Sequence, residues 1–122
     1  MSNKRSGKER SQRQMRVDEQ IKRMVVEYLQ REYFEDEALS DPSSITISLV
    51  QTSPDLRSAT AFIMPFGGDN ADEIVRALNE ETKGFNHYIA KNLTTKNTPK
   101  IKFAVDKSFD ENDKITALLK GL

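Results

Sequence analysis

Phosphate binding is the chemistry that the basic residues in the C-terminal half of the chain could perform. Lys83, His87 and Lys91 follow at intervals of four residues, which places them on one face of a helix. Residues 82–102 contain five lysines and no acid. A solvated face usually alternates both signs, whereas an acid-free cluster neutralises phosphates and releases their counterions, which favours RNA contact. The predicted RNA-binding side chains are Lys83, His87, Lys91, Lys96, Lys100 and Lys102, with Arg13, Arg16, Lys22 and Arg23 from the first helical segment.

Catalytic and metal chemistry find little support in the sequence. The chain has no cysteine and a single histidine, His87, which excludes thiol catalysis, thiolate zinc sites and histidine-rich metal sites. The carboxylates of residues 35–41 lack the alternating spacing of a calcium loop. The Gly67-Gly68 turn has no P-loop lysine, and acids follow it. We therefore expect no enzyme activity, no cofactor and no metal ion.

The formal net charge of zero conceals a strongly uneven charge distribution. Residues 1–16 contain six basic residues and one acid, and residues 32–81 contain two basic residues and eleven acids. All charged residues in 82–102 are basic. Such a dipolar chain is expected to present one face to phosphate and another that repels it. The alternative is a protein-interaction module that binds a basic partner through its acidic middle segment without binding RNA. The salt dependence of RNA affinity distinguishes the two hypotheses.

The first twelve residues are polar and basic, which predicts a disordered arm at 1–12 and a folded domain at 13–122. The arm could lie along RNA or act only as a solubilising tail, and the sequence favours neither. There is no run of eighteen apolar residues and no apolar segment near Met1, so we expect no membrane partner and a cytoplasmic location.

Hydropathy periods of helices and strands alternate along the rest of the chain. A helix is predicted from Arg13 to Phe34, followed by strands at 45–49 and 59–64 that are joined at Ser53-Pro54-Asp55. Next come a helix from Asn70 to about Thr82, a second helix through Leu93 and a strand at 101–105. A last short helix is predicted after Ser108 and buries Ile115, Leu118 and Leu119. Asn70 is expected to cap its helix through its side chain. Phe62 has the opposite strand parity to Ala61 and Ile63, so it is either exposed on the open sheet face or covered by the last helix.

This order predicts a single α+β domain, α-β-β-α-α-β, whose three-stranded sheet carries its helices on one face. A helix pair joined by a tight turn and followed by a strand is the type II order of K homology domains, which hold single-stranded nucleic acid at that turn. Gly84 therefore joins the predicted RNA-binding residues. A junction this short is expected to require a positive φ angle at Gly84.

Several short motifs resemble one known family over residues 16–108. They are Arg16-Val17 with Gln20-Ile21, Asp41-Pro42, the run 53–59 (SPDLRSA), Gly84-Phe85, and the run 99–103 (PKIKF) with Asp106 and Ser108. In this order they resemble the bacterial ribosome-binding factor A family. The resemblance implies a monomeric, non-catalytic assembly factor that binds the immature 30S subunit and 16S rRNA near the decoding region, assists 5′-end processing and supports growth in the cold.

The chain departs from the pattern of that family at three positions. The family's Ala-any-Gly kink is Thr82-Lys83-Gly84 here, so the glycine is kept and the alanine is not. His87 and Lys96 stand where the family commonly has arginine. Lys96 keeps the charge but lacks the planar guanidinium fork, and His87 keeps a hydrogen-bond donor.

Overall fold

The helices and strands follow the predicted order. The computed structural model describes residues 10–64 and 70–108. Its regular elements are α1 (Gln12–Arg31), β1 (Ile47–Thr52), β2 (Ser58–Ile63), α2 (Ala71–Asn79), α3 (Thr82–Asn92) and β3 (Lys100–Val105), with 3-10 turns at Glu37–Leu39 and Pro42–Ser44. The Gly67-Gly68 turn and the predicted last helix after Ser108 lie outside the described residues. The α+β order α-β-β-α-α-β is confirmed.

Helix α1 begins where a reciprocal cap satisfies its first free amides. The Gln14 N–H donates to Ser11 Oγ, and the Ser11 N–H donates to Gln14 Oε1, each over 3.0 Å. The helix ends at Arg31, three residues before the predicted end. Phe34 still reaches the core, but from the segment that follows the helix, and its ring lies 6.1 Å from the Tyr28 ring and 6.2 Å from the Phe85 ring.

The start of the folded part lies earlier than the predicted boundary between residues 12 and 13. The Arg10 guanidinium donates to the Asp18 carboxylate and to the Thr52 carbonyl oxygen. The other Asp18 carboxylate oxygen accepts from the Thr52 N–H and hydroxyl, both at 2.8 Å. This network is partly to fully buried and joins the start of α1 to the end of β1. Arg10, Ser11 and Gln12 therefore belong to the fold, and residues 1–9 lie outside the described residues.

The sheet has the order β1-β2-β3, with β1 antiparallel and β3 parallel to the central strand β2. Along β2, Ala61 pairs with Val50 on one side and Phe103 on the other. All three side chains are buried against the helices. Strand β1 begins two residues later than predicted and continues to Thr52, with a register shift between Ile47 and Leu49. Helices cover one face of the sheet, as predicted.

The junction between α2 and α3 differs from the prediction in two respects. Asn70 makes no side-chain cap, because its ψ of 15° is not the extended backbone that an N-cap side chain needs to reach the next turn. The break between the helices lies at Glu80 and Glu81, with φ angles of −78° and −105°. Gly84 is the third residue of α3, and its φ angle is not positive. The expected positive φ at Gly84 is therefore wrong.

Candidate nucleic-acid interface

An open concavity of about 940 Å³ lies between the C-terminal half of α1 and helix α3. It brings together four of the predicted RNA-binding residues. Its walls are Tyr28, Arg31 and Glu32 from α1, and Lys83, Gly84, His87, Tyr88, Lys91 and Asn92 from α3. The spacing of four residues along α3 places the three basic side chains along one rim, as the sequence indicates.

The floor of this concavity depends on the close approach of Gly84 to Tyr28. A Cβ atom built on Gly84 would overlap the Tyr28 hydroxyl oxygen and stand 3.0 Å from Tyr28 Cζ. The Tyr28 ring is in turn fixed by neighbouring rings, with centroids 4.6 Å from Phe85 and 5.4 Å from Tyr88. The backbone of Gly84 is helical, so glycine is not needed there for its conformational freedom. It is needed because a larger residue would not fit between the two helices. Sequence reasoning identified the residue but not the reason.

Two further residues of the concavity, Arg31 and Tyr88, were not predicted as site residues. The Tyr88 hydroxyl donates to Glu27 Oε1 over 3.0 Å and accepts from the Arg31 guanidinium over 3.2 Å. The Arg31 guanidinium carbon also lies 5.8 Å from the centre of the Tyr88 ring, which adds a cation–π contact. The signal in the sequence was the interval of three residues between Tyr28 and Arg31, which puts both on one face of α1.

The electrostatic surroundings differ between the two walls of the concavity. Burial raises the pKa of the Tyr28 hydroxyl, and the negative charges of Glu32 and Glu81 raise it further. Lys83, His87 and Lys91 are exposed, and no salt bridge between described residues involves them. The rim on α3 therefore carries cations that an external anion could neutralise.

The acidic part of the chain contrasts with this rim. Arg76 on α2 forms salt bridges with Glu73, Glu80 and Asp36, and its pKa is raised by the hydrogen bond and charge of Glu73 and then by Glu80. Its charge is thus already balanced by carboxylates of the protein. Phosphate binding is favoured at α3 and disfavoured at α2.

The remaining predicted RNA-binding residues lie on other surfaces. Lys100 and Lys102 alternate with the buried Ile101 and Phe103, so they project from the opposite, open face of the sheet. Lys96 is exposed in the loop between α3 and β3. Strand parity in the sequence already separates the β3 lysines from the α3 rim, because a residue between two core positions must face away from the core.

The predicted residues of α1 lie along the helix rather than at the concavity. Arg13 and Arg16 are exposed near its first turn, about 25 Å from Arg31 at a rise of about 1.5 Å per residue. Lys22 and Arg23 occupy its middle, where the Lys22 ammonium donates to the Ser48 carbonyl oxygen over 3.3 Å. The eleven predicted residues thus form at least three surfaces rather than one.

Nothing in the described ranges suggests metal chemistry. No three histidine, cysteine, aspartate or glutamate side chains within residues 10–64 and 70–108 are grouped so that they could hold a metal ion. Over the same ranges, no helix is long and apolar enough to cross a membrane.

The fold, with the basic rim of α3 beside its helix junction, defines a K homology-like domain of type II order. Comparison with known proteins identifies its family. The model of the ribosome-binding factor A family matches residues 13–119, so the chain belongs to that family and the resemblance seen in the sequence is confirmed. The family is one of ribosome-binding factors and not a known class of enzymes.

Individual relatives agree with this assignment. Ribosome-binding factor A of Paracoccus denitrificans is 41% identical over 114 residues, which cover 93% of this chain and 82% of the relative. That of Phenylobacterium zucineum is 38% identical over 108 residues, which cover 88% and 74%.

Solved structures share the fold. A solution NMR structure of a Thermotoga maritima protein described as a ribosome binding factor A superimposes with a TM-score of 0.62 at 26% identity, covering 78% of this chain and 88% of that one. The crystal structure of the Thermus thermophilus factor gives 0.60 at 21% identity, covering 75% and 94%. A homology model of the Thermus factor, fitted into a cryo-EM map of its 30S complex, gives 0.58 at 21% identity, covering 75% and 93%.

Proposed function

We propose that this protein is a non-catalytic, cytoplasmic ribosome assembly factor. It binds the immature 30S subunit through 16S rRNA and assists maturation of the 5′ end of that rRNA. The observation that carries the proposal is the rim of Lys83, His87 and Lys91 beside the junction of α2 and α3. Membership of the ribosome-binding factor A family supports it, as does the 30S complex described for the Thermus thermophilus factor.

The rim suits an RNA backbone because its cations are free to exchange partners. The two ammonium groups and the imidazole offer donors to successive phosphate oxygens, and each neutralised phosphate releases a condensed counterion. Arg13, Arg16, Lys22, Arg23 and Lys96 are proposed as secondary contacts with neighbouring rRNA segments.

Sedimentation of native cell extract through a sucrose gradient tests the proposal. We expect the protein to migrate with free 30S particles and not with 70S ribosomes. Steep loss of rRNA affinity between 50 and 200 mM salt should accompany this association, since several phosphate contacts give a strong salt dependence. Absence of both 30S association and RNA affinity at low salt would overturn the proposal and leave the protein-interaction module as the alternative.

A further inference from the structure

The open face of the sheet carries ordered rows of side chains that the α3 site does not use. Across the three strands, Leu49, Phe62 and Ala104 stand opposite one another and form an apolar row. The next row toward the β1–β2 turn is Gln51, Thr60 and Lys102. The apolar row is only partly covered, and Leu49 is 36% exposed.

A second concavity, of about 490 Å³, lies over the apolar row. Phe62 lies at its base on the central strand, and the Gln51, Lys107 and Ser108 side chains line its edge. The Ser108 hydroxyl donates to Asp106, so this edge is held in place by the chain that leaves β3. The volume of the concavity is of the order of a site for a single small ligand.

Lysines predominate among the charged side chains of this face, and the one carboxylate that lines the concavity, Asp106, accepts from Ser108. Lys100, Lys102 and Lys107 are exposed at or beside it, and no salt bridge between described residues involves them. The outward-facing residues of β1, β2 and β3 include no aspartate or glutamate. An anionic partner is therefore favoured. The aromatic ring of Phe62 among these lysines indicates that the partner also carries a flat group that can stack on the ring.

We propose that the open sheet face is a second RNA-binding surface, which takes a single-stranded segment with one unstacked base on Phe62. Lys102 and Lys107 neutralise the phosphates on either side of that base. An aromatic ring on a central strand, flanked by cations, is a stacking platform for bases of any sequence. The inference rests on the proposed function only for the choice of RNA as the anionic partner.

This surface and the α3 rim contact different RNA segments. They lie on opposite sides of the molecule, separated by the sheet and the helix layer, about 20 Å in all. A protein that holds two segments of rRNA at a fixed separation restricts their relative arrangement. This is a physical basis for assistance to rRNA folding without catalysis.

A tryptophan at residue 62 tests the proposal directly, because the chain contains no other tryptophan. In Phe62→Trp, a single-stranded oligoadenylate of twelve nucleotides is expected to quench the fluorescence saturably. The quenching should persist when Lys83→Glu and Lys91→Glu are added, and it should disappear with Lys102→Glu and Lys107→Glu. Without the tryptophan and with Lys83→Glu and Lys91→Glu present to disable the α3 rim, Phe62→Leu should weaken oligoadenylate binding about tenfold, and Phe62→Tyr should retain it.

Three outcomes overturn the inference. Tryptophan emission that is typical of water and unaffected by RNA shows an unused face. Blue-shifted emission that RNA does not change shows that residues 109–122 of the same chain cover the ring. Emission that depends on protein concentration shows that a second copy covers it. If RNA quenches the fluorescence but Lys83→Glu with Lys91→Glu leaves 30S association intact, the proposed rRNA site at α3 is wrong and the proposed site on the sheet is supported.

Discussion

The Tyr28 hydroxyl oxygen occupies the position that a Cβ atom of residue 84 would take. Tyr28 has little freedom to move, because its ring packs against Phe34, Phe85 and Tyr88. The crossing of α1 and α3 at this point therefore requires glycine for its small size. The helical backbone of Gly84 would otherwise accept any residue without strain.

Gly84→Ala should consequently lower stability, although alanine is the better helix former by about 1 kcal/mol. Overpacking against a fixed ring costs about 1–3 kcal/mol, which exceeds that gain. The free energy of unfolding from urea titration measures the balance. The double variant Tyr28→Leu with Gly84→Ala should show a favourable coupling energy relative to the two single variants. Additive effects would show that the two residues do not compete for this space.

The ionisation of Tyr28 gives a second test of the same contact. Burial, Glu32 and Glu81 raise its pKa above the ordinary value of 10.0. A raised folded-state pKa means that this group stabilises the fold fully below pH 10 and that the contribution is lost as pH rises through the folded pKa. NMR titration with tyrosine labelled at Cζ should show Tyr28 ionising above pH 10. Glu81→Gln should lower that pKa, and an unchanged value would exclude the assigned electrostatic cause.

Arg10 gives a prediction about where the folded domain begins. Residues 2–9 are largely polar or charged and include no large apolar side chain, so their deletion should leave the melting temperature nearly unchanged. Deletion of residues 2–11 also removes the Arg10 partner of Asp18 and the Ser11 cap. Loss of one partner of a buried pair costs about 3–5 kcal/mol, and loss of a cap adds about 1 kcal/mol.

Differential scanning calorimetry of the two truncated proteins separates these expectations. The longer deletion should lower the melting temperature by many degrees relative to the shorter one. Arg10→Gln in the full chain serves as the control, because it breaks the pair and leaves the cap. Equal melting temperatures for all three proteins would show that the Arg10–Asp18–Thr52 network does not stabilise the domain.

The elements of the fold could be predicted from the sequence because local periodicity determines them. The stripe of Val17, Ile21, Val25 and Leu29 and the alternation of Ile101 with Phe103 correspond to buried positions in the structure. The Arg10–Asp18–Thr52 network could not be predicted, since it joins residues 42 positions apart through polar atoms that carry no period. The sequence led us to expect a positive φ angle at Gly84, whereas glycine is needed there for space between α1 and α3. That space depends on how the two helices cross, which the residue pattern of one helix does not reveal.

The candidate site was predicted in part for the same reason. Lys83, His87 and Lys91 share one helix, so their spacing alone places them together. Lys100 and Lys102 were grouped with them by closeness in the sequence, but the strand turns them to the other face of the sheet. Charge density along a chain thus predicts that a basic surface exists and not how many surfaces there are.

The α3 rim should be separable from the fold by charge reversal. Lys83→Glu would place a carboxylate in the first turn of α3, where the helix dipole favours negative charge. Lys91→Glu would place one in the last turn, where the dipole disfavours it. The two effects oppose each other, and both sites are exposed. Lys83→Glu with Lys91→Glu should therefore change the free energy of unfolding by no more than about 0.5 kcal/mol.

The same double variant should no longer associate with 30S subunits, and its rRNA affinity should depend less on salt, by about one unit of slope for each lost phosphate contact. The charge-matched control compares Lys83→Glu with Arg57→Glu, because Arg57 is exposed in the turn between β1 and β2, away from α3. Asp72→Lys on the acidic helix α2 should leave association intact, since Asp72 makes no salt bridge with another described residue. Equal losses for Lys83→Glu and Arg57→Glu would show that only total charge matters. Full association of the double variant would place the rRNA contact elsewhere on the protein.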